Sequence, residues 1–409
     1  MQLRALPFSL LLVASGACAV AQPLRGRPAP QPDETLPPLH AEHVISAGVR
    51  YRSLVDAAGP WAIHIVEVDP RACGVQLRTF KAGERLVGRA RTSAMAAAAA
   101  ARWGRPALAA INGDFFTFDP AGVPVGAQVS AGEIVRGPTD RPVFGLTADG
   151  APFIATVRVR GGVRTLPGFA APLDGVNTRP AAHGLSLYNQ FVGDVTPPDT
   201  GVVELTVRLI AAARLPGDTA RAVVLERDTL AAGVPLPDGG AVLAGRGRSA
   251  IFLRDLVAPG DTLMWWTDFD PAPASVAEMI GGFPRLLIGG EAVHDRDPAV
   301  SAAFAETRHP RTAVGWRGDG TLLLVTVDGR QPQHSVGMSL AELAELFRRL
   351  GAVEALNLDG GGSTTMVVRG LVVNRPSDRD GERTNANAIV VLGAAPGECA
   401  ARAIPAPVP

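Results

Sequence analysis

From residue 61 onward the chain sets short apolar runs between glycine, proline and charged breaks, and the period of each run predicts its element. "WAIHIVEV" (61–68) and "VQLRTF" (75–80) have the short, half-alternating pattern of strands. "TSAMAAAAAARWG" (92–104) has a Thr/Ser start, an alanine run and a glycine stop, which predicts a helix. "ALAAI" (107–111) reads as a buried strand ending on "NGDFF". The middle of the chain carries further short strands, among them "VFGLT", "VVELTVRLI" and "TLMWWT", punctuated by Gly and Pro.

The last hundred residues are the most regular. "RTAVGW" (311–316), "LLLVTV" (322–327), "EALNL" (354–358), "TTMVVR" (364–369) and "NAIVVLG" (387–393) are predicted strands. Between them "SLAELAELFRRL" (339–350) predicts an amphipathic helix, with Ser339 as N-cap and Glu342 closing a capping box. No internal repeat and no second linker interrupt this order. The expectation is an α+β fold: one large domain over 46–399, with a mixed, strand-rich sheet core and flanking helices.

Composition narrows the function classes. The chain has 409 residues, 47% of them hydrophobic, enough for a substantial core. Basic and acidic residues balance at 39 each, so no net basic field favours nucleic acid or a membrane surface. Lys81 is the single lysine and stands in a loop-like Lys-Ala-Gly-Glu run, a poor setting for Schiff-base chemistry. Nearly every cation is therefore an arginine, whose planar fork suits carboxylate and phosphate.

The N-terminus reads as a secretory signal over residues 1–21. Arg4 is followed by an apolar stretch from Leu6 to Ala14 and by Ala19-Val20-Ala21 before Gln22. That stretch is too short to span a bilayer, and no other run is long enough. Cys18 resembles a lipoprotein site only faintly, because Ser15 is a poor residue three positions before it. Residues 22–45 are proline-rich and predict an extended tether, and 400–409 a flexible tail. Cleavage after Ala21 leaves Cys73 and Cys399, either bridged in an oxidising compartment or present as two thiols. The expected location is secreted or periplasmic.

Four segments carry candidate chemistry. In "LNLDGGGSTTMVV" (356–368) Leu356 and Leu358 face one way, and Asn357 and Asp359 the other. Gly360, Gly361 and Gly362 then lead to Ser363 and Thr364. The glycines form either a tight turn between strands or a loop whose bare N–H groups approach an anionic or sugar ligand. A P-loop is excluded, because lysine and a following helix are missing. "LLLVTVDGR" ends a two-sided apolar strand at Asp328, and "AAINGDFF" ends another at Asn112 with Phe115 beside it. Amides, carboxylates and aromatics at strand ends suit sugar rings, apolar on their faces and hydroxylated at their rims. "ETRHPRTAVG" gathers Arg308, His309 and Arg311 ahead of a strand, either as a solvated basic loop or as an anion grip.

Taken together, "INGDFF", "IGGFPRLLIGGEAV", "RHPRTAVGW", the run through "VDGRQPQHSVGMSLAELAELFRRLGAVEALNLDGGGSTTMVV", and "NRPSD…NAIVV" resemble the phosphodiester glycosidase domain family. The similarity spans roughly residues 60 to 395 and is most specific from Arg308 to Val368. It implies hydrolysis of a sugar joined through C1 to a phosphodiester, giving free sugar and a phosphomonoester. The residue at Asp114 varies in the family pattern, so the resemblance assigns its carboxylate no role.

The residue chemistry fits that expectation. A phosphate leaves more easily than an alkoxide, so an acid catalyst matters less than in ordinary glycosidases. Arginine suits the departing phosphate, and an ionised aspartate suits positive character at C1. Asp359, Asp328 and Arg311 are the expected catalytic residues. Asn112, Phe115, His309, Asn357, Gly360, Gly361, Gly362, Ser363 and Thr364 are expected to bind substrate, with no metal and no cofactor.

G-x-S-x-G and H-E-x-x-H motifs are absent. "GRGRSA" (245–250) imitates a dinucleotide fingerprint but leads into the short "IFLRDL" helix. Two other readings stay open: a non-catalytic carbohydrate-binding protein, and a glycosidase acting on a polysaccharide without phosphate. The expected partner is a carbohydrate or sugar phosphate, with no nucleic acid and no transmembrane segment.

Overall fold

The computed structural model describes residues 36–399 except 37, 58, 138, 230–232, 272 and 274. The expected signal peptide, most of the tether and the C-terminal tail lie outside the described residues. The segment assigned to the tether nevertheless ends in structure. Leu39–Ser46 is an edge strand paired with Val49–Asp56.

Two antiparallel sheets packed face to face carry the site. One has eight strands in the order Leu39–Ser46, Val49–Asp56, Trp61–Val68, Leu322–Val327, Arg311–Arg317, Ala352–Asn357, Arg285–Ile288 and Glu291–Ala292. The other has five, in the order Leu371–Val372, Met366–Val368, Ala107–Asn112, Asn387–Leu392 and Gln76–Lys81. Strand residues alternate in direction, so each central strand needs apolar side chains on both faces. Val314, Leu324, Leu356 and Leu358 of the first sheet meet Ile111, Met366, Ile389 and Val391 of the second.

The outward faces are covered by helices. Leu340–Arg349 buries Leu340, Leu343, Ala344, Leu346 and Phe347, an i, i+3, i+4, i+7 stripe, against Ala313, Val325 and Ala355. Each large side chain in that stripe contributes roughly 1.5–3 kcal/mol of burial. Its capping box is formed as the sequence predicts. Thr92–Trp103 covers the second sheet through Met95, Ala96 and Ala99 and stops at Gly104 in the left-handed region, φ 61°. Its N-cap is Arg91, with no side-chain cap bond, so the Thr/Ser start does not cap.

A second eight-stranded sheet, built from strands between Arg158 and Asp270, has its own core around Leu205, Leu243 and Leu263, closed by the helix Arg248–Asp255. The sheet containing Pro142–Thr147 and Val276–Gly281 ties the two cores together. Val143 and Met279 face one core, Phe144 and Ile280 the other. This shared sheet makes a single domain the natural reading.

The expected α+β class needs correction. With four α-helices among the described residues and four sheets of five or eight strands, the fold is predominantly β. The Gly- and Pro-rich middle supplies further strands rather than helices, because its apolar runs are too short for helical turns. Lys81 is also displaced from its expected loop. It ends the strand Gln76–Lys81, 1% exposed, and burial pushes its amine down to about 7. Cys73 and Cys399 are bridged, with Cα atoms 5.9 Å apart. No helix among the described residues is long and apolar enough to cross a membrane.

Candidate active site

Strand register sets the predicted carboxylates at one end of the first sheet. Arg311 pairs with Val327 and Ala313 with Asn357 across three adjacent strands. Asp328 follows Val327, the last residue of its strand, and Asp359 comes two residues after Asn357, so the two flank the Pro310–Arg311 segment. Two inter-strand steps separate their backbones by about 10 Å. The second sheet closes the same end, since Asp359 N donates to Gly113 O at 2.9 Å. Asn112 fastens the junction: its Nδ2 donates to Asp359 O at 2.7 Å, and its Oδ1 accepts from Thr312 Oγ1 at 2.8 Å and Thr365 N at 3.0 Å.

The glycine run is not a hairpin turn. Gly361 to Ser363 form one short helical turn packed on the histidine–proline loop, with Gly361 N donating to Pro310 O at 2.9 Å. Gly361 has φ 60°, and a Cβ there would stand 3.0 Å from Arg330 Nη2. At Gly362 a Cβ would overlap the Arg383–Asp378 ion pair, whose bonds are 2.7 and 2.9 Å. Two guanidinium groups therefore lie on the glycine loop. Local patterning does not reveal either, since Arg383 belongs to a distant loop and Arg330 is simply the residue after Asp328-Gly329.

Asp359 stands immediately before the glycine loop. It is half-buried by exposure of the whole residue, while its carboxyl lies deep. Burial pushes it up to about 6, against the opposing pull of Ser363, of the Arg383 charge and of Gly360 N–H. The Ser363 hydroxyl favours the charged form from nearby without hydrogen-bond geometry. The Thr364 and Thr365 hydroxyls are buried and carry no hydrogen-bond partner in the structure.

Asp114, to which the family resemblance assigns no role, is Asp359's electrostatic neighbour. It is 1% exposed, with Oδ2 accepting from Gly126 N at 2.6 Å and Oδ1 without a partner. Burial pushes it up to about 7; Gly126 N–H and Arg141 oppose that rise, and the Asp359 charge adds to it. The folded-state value thus lies above the unfolded 3.8, so the folded protein holds this proton more tightly. That stabilisation is complete below the unfolded value and lost as pH rises through about 7. Asp114→Asn should therefore raise Tm by roughly 3–6 °C at pH 8 and leave it unchanged at pH 4. Calorimetry at the two pH values checks this, and equal shifts at both would contradict it.

Three of the expected site residues are held by hydrogen bonds within the protein. Arg311 is 2% exposed, and its fork is committed to backbone carbonyls: Nε to Met338 O at 2.8 Å, Nη2 to Phe304 O at 3.1 Å and Thr307 O at 3.0 Å. Burial, then Arg330, brings its guanidinium down to about 10. It anchors a loop. Asp328 is 1% exposed and saturated by donors from His334, Asn374 and Arg375. Burial raises its pKa, but His64, His334 and Asn374 outweigh that and hold it below the usual carboxylate range. Asn357 is likewise structural, donating to Phe283 O at 2.6 Å and Leu358 O at 2.9 Å.

His309 meets Arg330 Nη2 at 3.3 Å through Nδ1, and burial, Arg330 and Arg311 lower its pKa. Phe115 packs on Phe304 at 6.3 Å, and Phe304 on Phe283 at 6.3 Å. Arg141 lies 5.0 Å over Phe283 and 5.8 Å over Phe115. These half-buried rings form an aromatic wall beside Asn357. A cavity of about 1050 Å³, lined by residues such as Glu133, Gln190 and Trp265, lies on the Arg158–Asp270 side of the molecule. Among the described residues no group of three His, Cys, Asp or Glu is placed to hold a metal ion.

Residues 219–392 match the phosphodiester glycosidase family model. The N-acetylglucosamine-1-phosphodiester alpha-N-acetylglucosaminidase of Mus musculus is 44% identical over 75 residues, 18% of this chain and 14% of that one. The match thus spans only about a seventh of the curated relative's length. A crystal structure of a hypothetical protein from Synechocystis has TM-score 0.67 at 24% identity, covering 85% of this chain and 62% of that one, and shows the fold alone. A Burkholderia pseudomallei K96243 protein described as exported has TM-score 0.63 at 27% identity, covering 82% and 74%.

Proposed function

With residues 219–392 in the phosphodiester glycosidase family, we propose that the protein is an exported hydrolase cleaving the C1–O bond of sugar-1-phosphodiesters in a glycan or surface polysaccharide. The observation that carries this reading is the Asp359 carboxylate at the foot of a glycine loop on which Arg330 and Arg383 both lie. The bridged Cys73–Cys399 pair and the signal-like N-terminus support export.

At neutral pH an aspartate held near 6 is mostly ionised, so Asp359 can face C1 and stabilise the positive character that grows there. Arg330 is exposed and has no carboxylate partner among the described residues, which leaves its fork for phosphate oxygens. Arg383 shares its charge with Asp378 and serves mainly to keep Asp359 ionised. The Phe115–Phe304–Phe283 wall offers apolar surface to a sugar face.

The test is incubation of purified protein with a panel of sugar-1-phosphodiesters, assaying free sugar and new phosphomonoester together. Equal release of both is expected. Binding without release would make the protein a carbohydrate binder, and sugar release only from phosphate-free glycans would make it a polysaccharide glycosidase.

A further inference from the structure

Asp328 heads a chain of polar contacts that the reading above does not use. Its Oδ2 meets His334 Nε2 at 2.8 Å. Arg375 N bonds both carboxylate oxygens at 3.0 Å, and Asn374 Nδ2 adds a bond to Oδ1 at 3.0 Å. On its inner side His64 Nε2 lies 3.6 Å from Oδ2, and His64 Nδ1 meets Tyr51 Oη at 2.8 Å. Tyr51 and His64 thus share a hydrogen bond through Nδ1, and Nε2 is the ring nitrogen turned towards Asp328.

The outer end of the chain differs from the inner. The His334 side chain is 34% exposed, whereas those of His64 and Asp328 are 11% and 1% exposed. With Nε2–H committed to the carboxylate, Nδ1 is the nitrogen with a free lone pair. His334 rides on the turn that follows Arg330, the residue lying on Gly361. Asn374 also donates to Thr364 O at 3.1 Å, linking Asp328 to the end of the glycine loop. The histidine singled out from the sequence, His309, sits against the Arg330 cation, which disfavours its taking a proton. His334 sits against an anion.

We propose that His334 is the general base of this site, taking a proton from the attacking water through Nδ1 while Asp328 orients the ring. This rests on the phosphodiester glycosidase reading. The water oxygen bonds to C1, and the C1–O bond to phosphorus breaks with its electron pair leaving on the phosphomonoester. The water proton goes to His334 Nδ1 and then to solvent. Asp328, fixed by its other donors, stabilises the positive charge that the ring gains. The charged and titratable groups around His334 are Asp328, His64 and Tyr51 behind it, Arg330 on its own turn, and Arg375, whose backbone N–H also binds Asp328.

The experiment compares the intact protein with His334→Gln on a sugar-1-phosphodiester that the wild type cleaves. A kcat/KM about a hundredfold lower at pH 7 is expected, with Tm unchanged. Imidazole added to His334→Gly should restore part of the rate, which a merely structural role would not permit. An active wild type whose His334→Gln variant keeps its rate overturns the role of His334 alone. A wild type inactive on every sugar-1-phosphodiester overturns the functional reading and this role with it.

Discussion

Asp359→Asn should fold normally and lose turnover by roughly a hundredfold or more on a sugar-1-phosphodiester. The substitution keeps the shape of the side chain and removes only its charge. Asp359 takes part in the fold through its backbone: N–H to Gly113 O, and O from Asn112 Nδ2. Those bonds survive. What disappears is the negative charge facing C1, and an amide cannot replace it. Removing a charge held up near 6 by burial relieves desolvation, so Tm at pH 8 should stay level or rise slightly. Wild-type activity should fall as pH drops through about 6, where the carboxylate takes its proton. Steady-state kinetics on the folded variant decide the matter, and near-full activity would remove Asp359 from the chemistry.

Arg311→Lys has the largest expected effect on stability, a loss of roughly 3 kcal/mol. The guanidinium donates to three carbonyls, Met338, Phe304 and Thr307, and lies 5.3 Å over the Phe304 ring. An ammonium cannot reproduce that planar fork, so at least two carbonyls lose a charge-assisted partner at about 1–1.5 kcal/mol each. The same burial that brings Arg311 down to about 10 would act on a lysine starting roughly two units lower, so its charge would begin to be lost only a little above neutral pH. Phe304 belongs to the aromatic wall, so KM should rise more than kcat falls. Denaturant unfolding measures the first effect and steady-state kinetics the second. Unchanged stability with a collapse of kcat alone would return Arg311 to a catalytic role.

By itself the sequence determined the elements that position the site. The capping box at Ser339 and Glu342, the apolar stripe of the helix behind it, and the strands before Asp328 and Asp359 all follow from spacing within a few residues. The strands' two-sided hydrophobicity also placed Asp328, Asp359 and Asn112 at strand ends, where they are found. The pairing of Cys73 with Cys399 was one of two open outcomes until their Cα atoms stood 5.9 Å apart.

What each polar group does was decided by the tertiary structure. Asn112 and Asp359 are 247 positions apart, and only the packing of two sheets makes one the fastener of the other. Arg311 resembled an anion grip in sequence because the carbonyls that its fork meets, those of Phe304 in the short helix Ala302–Glu306, Thr307 and Met338, lie on both sides of it. Arg330 and Arg383 show their place only through the glycines beneath them, and His334 through a carboxylate bent back towards it. Asp114 is ionised or not according to how completely the fold takes it out of water. Periodicity reports which face of an element is buried. Hydrogen-bond partners and charge states depend on atoms brought close by packing, and those distances exist only in the folded chain.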